Sequence, residues 1–173
     1  METVIRRATA ADAALILELI RALAAFEREP DAVVATEEGL IRDGFGPNPY
    51  YFCLIAEYDG QPAGFALNYY NYSTWVGRPG VYVEDIFVYP EFRRKGIGRA
   101  LLKAVAEIAV EKGCQRMQWE VLDWNTPAIE FYKSIGGEFL DEWRNVRLTG
   151  EAIRQLANGG GPDGRRGATE VAH

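Results

Sequence analysis

The amino-acid sequence predicts an α+β fold, in which helices pack on one mixed sheet. Three strand-like segments follow one another between residues 51 and 88, without a helix between them. Helical segments with an apolar repeat near 3.6 residues precede and follow this group. Such an order is typical of α+β domains, whereas α/β domains alternate strand and helix regularly.

The first fifty residues predict one strand and two helices. Val4–Arg7 is a predicted strand, and Asp12 is expected to cap a helix whose apolar residues recur up to Phe26. Pro30 ends that helix, because proline cannot continue the backbone hydrogen bonding. Thr36, followed by two glutamates, predicts a second short helix.

The middle of the chain predicts a hairpin and a third strand. Tyr51–Tyr58 and Ala63–Tyr70 are predicted strands, joined by a short turn that begins at Asp59-Gly60. An aromatic loop is expected over residues 71–80, and the strand Val81–Val88 follows it.

The last third predicts further helices and strands. A long amphipathic helix covers Ile97–Lys112 and ends at Gly113, a usual residue for a helix C-terminus. The elements expected after it are a strand over Gln115–Leu122, a short helix from Thr126 to Gly136, a strand near Trp143–Leu148 and a helix near Gly150–Leu156.

Length and composition favour a single domain. The 173 residues include 48% hydrophobic and 25% charged side chains, which is ordinary for a globular protein. We expect one domain over residues 1–157 and a flexible glycine-rich tail over residues 158–173. No apolar run reaches the ~20 residues that cross a bilayer, so no membrane partner is expected. The N-terminus lacks a signal-peptide core, which predicts a cytoplasmic location.

The scarcity of histidine restricts the possible chemistry. The only histidine is His173, so the sequence argues against histidine-based catalysis and most zinc sites, and no metal is expected. Cys53 and Cys114 fit buried thiols better than ligands. The net charge of −6 argues against nucleic acid and agrees with a cationic substrate, although acidity also simply favours solubility.

A basic, glycine-containing segment joins the third strand to the long helix. It consists of Arg93-Arg94-Lys95-Gly96-Ile97-Gly98, followed by Arg99. The glycines let the backbone approach an oxygen-rich ligand, the basic side chains add charge, and the helix N-terminus faces the anion. This combination predicts a pyrophosphate site and hence a phosphate-bearing cofactor.

The basic segment resembles the acetyl-CoA loop of the GNAT superfamily of N-acetyltransferases. A second block, WNTPAIEFYK at residues 124–133, is similar to that family's N-x-x-A-x-x-F-Y segment. Further segments, among them Thr74–Gly77 and Val83–Val88, resemble the diamine (spermidine/spermine) and thialysine acetyltransferase branch.

The resemblance implies a mostly antiparallel central sheet, acetyl-CoA as co-substrate, direct attack by a primary amine, and a homodimer. Tyr132 would lie by the CoA sulfur and act as general acid, with a role in the aromatic core as the alternative. The residues implied to bind acetyl-CoA are Ile86, Phe87, Val88, Arg93, Arg94, Lys95, Gly96, Ile97, Gly98, Arg99, Asn125, Ala128 and Tyr132.

Two adjacent carboxylates, Glu84 and Asp85, interrupt an apolar strand and are expected on its opposite faces. A carboxylate in such a strand is costly unless it has partners or a function. Glu84 is the candidate base, acting through water, with a strand-end salt bridge as its alternative. The candidate substrate-binding residues are Glu27, Trp75, Glu84, Asp85 and Trp124, because carboxylates and aromatic faces attract ammonium groups, although each could equally be structural.

Taken together, the sequence predicts acetyl transfer from acetyl-CoA to a small polyamine, diamine or lysine-like amine. Two alternatives stay open. One is a GNAT enzyme acting on a protein N-terminus, a lysine side chain or an antibiotic. The other is a non-catalytic acyl-CoA-binding regulatory module.

Overall fold

The computed structural model describes residues 1–160, which divide into two compact units. The first unit covers Met1–Thr126 and the second begins at Pro127. The prediction of one domain over residues 1–157 stays a prediction. Most of the expected flexible tail, from residue 161 onward, lies outside the described residues.

A five-stranded sheet forms the first unit. Its strands lie side by side in chain order, and the first four pair antiparallel, whereas the fifth is parallel to the fourth. The predicted α+β class and the mostly antiparallel sheet are therefore confirmed. The strands are β1 Thr3–Arg7, β2 Phe52–Tyr58, β3 Gln61–Ser73, β4 Arg78–Val88 and β5 Met117–Gln118.

Five α-helices accompany the sheet in the described residues. The predicted second short helix is present, and Thr36 caps it by accepting a hydrogen bond from the Gly39 N–H at 3.1 Å. None of these helices is both long and apolar enough to span a membrane. The helices are α1 Ala13–Phe26, α2 Glu37–Gly44, α3 Ile97–Glu111, α4 Thr126–Ser134 and α5 Gly150–Ala157.

Buried side chains occupy both faces of the sheet. On one face, Ile16 and Leu19 of α1 belong to an apolar cluster with Phe65 of β3 and Phe87 of β4. Side chains alternate along a strand, so the strand residues next to Phe65 and Phe87 point to the other face of the sheet. Helix α3 packs against that face. The buried residues of α3 are Ile97, Leu101, Leu102, Val105 and Ala109.

The prediction that Asp12 caps α1 is wrong. A 3-10 turn, Ala10–Asp12, precedes the helix, and no side-chain hydrogen bond caps it. The Asp12 carboxylate instead accepts two hydrogen bonds from the Arg6 guanidinium, at 2.8 and 2.9 Å, and one from the Thr9 N–H at 2.8 Å. The Arg6 hydrogen bonds hold the pKa of Asp12 at about 2.

The aromatic segment 71–80 is mostly strand rather than loop. Ser73 pairs with Arg78 across the hairpin, so only residues 74–77 form the turn. Strand pairing satisfies main-chain groups that a loop would leave to water. At the other predicted hairpin, Asp59 and Gly60 both have positive φ, 49° and 77°, which confirms a tight turn there.

Of the two strands predicted in the last third of the chain, one is much shorter than expected and the other is absent from the described residues. The strand expected over 115–122 shrinks to Met117–Gln118, which pairs with β4 only at Val81 and Tyr82. Residues 143–148 form no strand, and apolar side chains there, such as Val146, are exposed. An alternating pattern becomes a strand only where a neighbouring strand supplies hydrogen bonds.

Candidate active site

A β-bulge lies in the middle of β4, at the acidic pair predicted as functional. Asn68 of β3 pairs with Val83 and Leu67 pairs with Asp85, so Glu84 has no partner residue on β3. The extra residue breaks the strict alternation of faces that the sequence prediction assumed. As a result, Glu84 is exposed, whereas Asp85 is largely withdrawn from water.

Three carboxylates meet where the end of α1 approaches this bulge. Burial raises the pKa of Asp85 to about 6, and the charges of Glu84 and Glu27 raise it further in the same direction. Glu27 is the residue that follows α1, and burial raises its pKa as well. The structure thus brings Glu27 close enough for its charge to act on the predicted Glu84–Asp85 pair, in a place where protons and cations are attracted.

Aromatic rings and guanidinium groups form a stack beside these carboxylates. The Phe26 ring lies 5.7 Å from the Trp124 ring and 6.3 Å from the Phe87 ring, measured between centroids. The Arg28 guanidinium lies 4.2 Å from the Trp124 centroid, and that of Arg93 lies 4.6 Å from the Phe26 centroid. Trp124, a predicted substrate residue, is therefore in contact with both an aromatic ring and a cation.

Sequence reasoning did not identify Phe26 and Arg28 as part of this stack. The helical spacing marks Phe26 only as a core residue, and Arg28 lies in an acidic, solvated helix end. Trp124 is almost one hundred residues further along the chain, so no local pattern connects it with them. Only the fold places the three side chains together.

The second half of β4 has one open edge in the described chain. β3 pairs with β4 through Val88, whereas β5 stops at Tyr82. Those main-chain groups of residues 86–88 that point away from β3 therefore have no strand partner among residues 1–160, whereas the Phe87 carbonyl lies against Gly64 of β3. An extended amide-containing ligand can pair with such an edge.

The loop between β4 and α3 has an unusual backbone conformation and leads into an uncapped helix N-terminus. Arg94 and Gly96 both have positive φ, 61° and 76°, and Ile97 is buried as the first residue of the helix. No side chain caps the helix, and a Cβ at Gly98 would meet no atom within 4 Å. Uncapped N–H groups in open space fit the oxygens of a pyrophosphate.

The basic side chains of this loop divide into two kinds. The Arg93 Nε donates to the Val88 carbonyl at 3.0 Å, and the Lys95 ammonium lies 5.1 Å from the Tyr58 centroid. These two side chains fasten the loop to the sheet. Arg94 and Arg99 are exposed, and they can offer their charge to an anion.

The second unit contains the predicted general acid. Tyr132 lies in α4 and is 9% exposed, and burial raises the pKa of its phenol. A phenol with a raised pKa keeps its proton near neutral pH. Ala128 belongs to the same helix, whereas Asn125 belongs to the first unit and donates its N–H to the Leu122 carbonyl at 3.0 Å.

Trp75 does not join the acidic group within the chain. It lies in the turn between β3 and β4 and is 87% exposed. The strand from Arg78 to Glu84 covers about 20 Å, at ~3.3 Å per residue. Its role in substrate binding stays a prediction.

The sequence also did not predict a pair of stacked tyrosines near Glu84. Tyr69 and Tyr82 stack across β3 and β4 with centroids 5.2 Å apart. A hydrogen bond joins the Tyr82 hydroxyl to Glu120, and the charges of Glu120 and Glu84 act on both phenols. Additional negative charge and aromatic surface therefore lie beside the bulge.

A shallow cavity of about 410 Å³ lies elsewhere in the first unit, along α2. It is lined mainly by side chains of that helix and by Tyr50 and Tyr51, and by none of the residues predicted to act in catalysis. Within residues 1–160, no group of three histidine, cysteine, aspartate or glutamate side chains could hold a metal ion.

Several known proteins are similar to this chain in sequence or in structure. The acetyltransferase (GNAT) family model matches residues 16–136. A thialysine N-epsilon-acetyltransferase of Sus scrofa is 46% identical over 164 residues, 88% of this chain and 96% of that protein. An L-ornithine N5-acetyltransferase of Arabidopsis thaliana is 33% identical and covers 88% of this chain and 86% of that protein. An integron cassette protein from V. cholerae has a TM-score of 0.75 at 27% identity, covering 91% of this chain and 98% of that one.

The chain belongs to the acetyltransferase (GNAT) family, and it is an N-acetyltransferase. The resemblance stated from the sequence motifs and the enzyme class are both confirmed. The non-catalytic module, which was one alternative, has no support from these relatives.

Proposed function

We propose that this enzyme transfers acetyl from acetyl-CoA to the primary amine of a small polyamine, diamine or lysine-like molecule. The observation that carries the proposal is the meeting of Glu27, Glu84 and Asp85 at the bulge, close to aromatic rings. Negative charge and aromatic faces both attract an ammonium group. The pig and Arabidopsis relatives are named for thialysine and L-ornithine, which supports an amine of this kind.

Acetyl-CoA is assigned to the open edge of β4 and the loop before α3. Main-chain groups of Ile86–Val88 would pair with the pantetheine arm, and the N–H groups at Gly96–Gly98 would hold the pyrophosphate. Arg94 and Arg99 add charge, whereas Arg93 and Lys95 hold the loop in place. When bound, acetyl-CoA supplies the acetyl group as a thioester. Asn125, Ala128 and Tyr132 are assigned to the cofactor by family resemblance.

Glu84 and Asp85 together accept the proton that an ammonium group must lose before its nitrogen can attack. Asp85 has a pKa of about 6, so it is mostly ionised at neutral pH and still basic enough to take a proton. Glu84 is exposed, and it passes the proton through water to the solvent. The two carboxylates interact, so their titration belongs to the pair.

Tyr132 donates a proton to the leaving sulfur. As the nitrogen–carbon bond forms, the carbon–sulfur bond breaks, and the sulfur leaves as a thiol rather than a thiolate. The raised pKa of Tyr132 keeps the phenol protonated for this step. The attacking nitrogen loses its second proton to solvent as the amide forms, and the phenolate takes a proton from solvent. Together with the proton first lost by the ammonium group, the net products are an amide, a thiol and one released proton.

The test is thiol release from acetyl-CoA with a panel of amines. The panel contains spermidine, putrescine, L-lysine, thialysine, L-ornithine, an aminoglycoside and an N-terminal peptide. We expect clear turnover with the small aliphatic amines and little with the peptide or the aminoglycoside. Turnover confined to the peptide or the aminoglycoside would overturn the proposed acceptor class and leave the enzyme class intact.

A homodimer and a cytoplasmic location complete the proposal. The second unit exposes large apolar side chains, including Trp143, Val146 and Leu156, which a second copy can cover. Both cysteines are free thiols, as is usual in a reducing compartment. Burial raises the pKa of the Cys53 thiol to about 12, so it is unreactive.

A further inference from the structure

Arg28 occupies a backbone position at which glycine is usual. It has a φ of 66° and directly follows Glu27, the residue after the last residue of α1. The Arg28 N–H donates to the Ala25 carbonyl at 3.2 Å, and the Glu29 N–H donates to the Ala24 carbonyl at 2.9 Å. This is the Schellman pattern, which favours a left-handed residue after the helix. The same pattern ends α3, where the chain does use glycine, at Gly113 with φ 69°.

The chain therefore has an arginine at a position whose backbone conformation favours glycine. A non-glycine residue is strained in this region, so a compensating role is expected for the arginine. Its guanidinium lies 4.2 Å from the Trp124 centroid and is exposed to solvent. Within the described chain, no carboxylate lies within 4.0 Å of that guanidinium, so its hydrogen-bond donors are open to a ligand.

The position of Arg28 beside the acidic group gives the acceptor site two signs of charge. Glu27 is its neighbour in sequence, and the charge of Glu27 acts on Asp85 at the bulge. An amino acid with a side-chain amine carries an ammonium group at one end and a carboxylate at the other. A guanidinium is the side chain best suited to bind a carboxylate, through two parallel hydrogen bonds.

We infer that Arg28 is a specificity-determining residue that binds the carboxylate of a lysine-like acceptor. This inference rests on the proposed function, and it selects amino-acid amines over polyamines within it. Trp124 holds the guanidinium in place by stacking, and Phe26 holds Trp124. A polyamine would bring a second positive charge to the same place, and Arg28 repels it.

The experiment compares L-lysine with 1,5-diaminopentane, which is lysine without its carboxylate, as acceptors for Arg28→Gly. Glycine suits the positive φ, so this variant is expected to keep the fold. We expect kcat/KM for lysine to fall by about 10- to 100-fold, the usual effect of a lost charge-assisted hydrogen bond. For the diamine, kcat/KM is expected to stay the same or to rise, and KM for acetyl-CoA is expected to stay unchanged. The control is Arg21→Ala, which removes an exposed charge from α1 and is expected to leave both acceptors unaffected.

The outcomes separate this inference from the proposed function. Equal effects of Arg28→Gly on lysine and diamine would overturn the inference and leave amine acetylation standing. A wild-type enzyme that acetylates diamines but not lysine would also overturn the inference and leave amine acetylation standing. If the wild type acetylates none of the small amines, the proposed function fails first, and the assignment of Arg28 fails with it. Arg28→Lys, which keeps the charge without the paired donors, is expected to recover only part of the activity on lysine.

Discussion

Asp85 shows how burial converts an ordinary carboxyl group into a base suited to neutral pH. Its pKa of about 6 means that the group is protonated in acid and becomes a proton acceptor as the pH rises. Activity that depends on it should therefore rise through pH 6. The exposed Glu84 contributes by raising this pKa through its negative charge.

The first prediction concerns the pH profile of this pair. In the wild type, kcat/KM should rise with pH around pH 6, and this rise is the acidic limb of the profile. Asp85→Asn should remove the limb, because the amide nitrogen cannot accept the proton. Glu84→Gln should instead move the limb to lower pH, since Asp85 loses a neighbouring negative charge. The measurement is kcat/KM from pH 5 to pH 9. The proposed sharing of roles is wrong if Asp85→Asn keeps the wild-type limb.

Asp85→Asn should also change stability, with a definite sign. The pKa of Asp85 in the folded enzyme lies above the value of 3.8 expected when unfolded, so the folded state binds more protons between those values. Stability contributed by this group is therefore lost as the pH rises from about 4 to 6. Above pH 6 the variant should melt at a higher temperature than the wild type, and at pH 4 the difference should shrink. A lower Tm at pH 8 would contradict the assigned burial cost.

The next prediction addresses the general acid. Tyr132→Phe keeps the aromatic ring but removes the proton donor, so kcat should fall by about 10²- to 10⁴-fold. KM for acetyl-CoA should change little, because the ring remains. Tyr72→Phe, at an exposed site in β3, is the matched control and should behave as wild type. If the Tyr132→Phe variant transfers acetyl at the wild-type rate across the pH range, the phenol has no part in the chemistry.

At the scale of elements, β4 is shaped by close contact with β3 at one end and by the bulge in its middle. Gly64 of β3 lies against the main chain of Phe87 and Val88, where an added Cβ would collide with the Phe87 carbonyl oxygen. This close approach sets the position of the open strand edge that is assigned to acetyl-CoA. Glycine at residue 64 is thus required by packing rather than by its backbone angles.

The prediction at this scale concerns a single methyl group. Gly64→Ala should destabilise the enzyme by about 1–3 kcal/mol, the usual cost of overpacking, and should raise KM for acetyl-CoA as Phe87 and Val88 shift. Thermal unfolding and initial rates measure the two effects. Gly98→Ala adds the same methyl group where no atom lies within 4 Å, so its Tm should not fall. Equal Tm changes in both variants would show that the Phe87 contact is unimportant.

At the scale of the whole molecule, the second unit exposes several large apolar side chains. Trp143, Val146, Leu148, Ile153 and Leu156 are all more than half exposed. Helix α5 has no buried residue at all, although its apolar residues lie on one side. Such a surface is expected to be covered in solution.

The corresponding prediction is a mass of two chains in sedimentation equilibrium, against 19.3 kDa for one chain. Val146→Asp places a charge in the apolar surface and should shift the enzyme toward one chain. Val34→Asp is the matched control, because Val34 is 90% exposed in the first unit and Val146 is 92% exposed. A wild-type enzyme with the mass of one chain would remove the homodimer from the proposal.

The sequence alone predicted those features that depend on a few neighbouring residues. The turn at Asp59-Gly60, the second helix after Thr36 and the end of α3 at Gly113 follow from local backbone preferences. The family follows from two motifs in a fixed order. These features can be predicted because each depends on residues within one turn or one loop.

Only the tertiary structure decided how the acidic pair is divided and what surrounds it. The bulge at Glu84 depends on pairing with β3, and the burial of Asp85 depends on elements distant in sequence. The contacts of Trp124 with Phe26 and Arg28 join opposite ends of the first unit's chain. Desolvation, strand register and stacking arise from residues far apart in sequence, and no local pattern records which of them will meet.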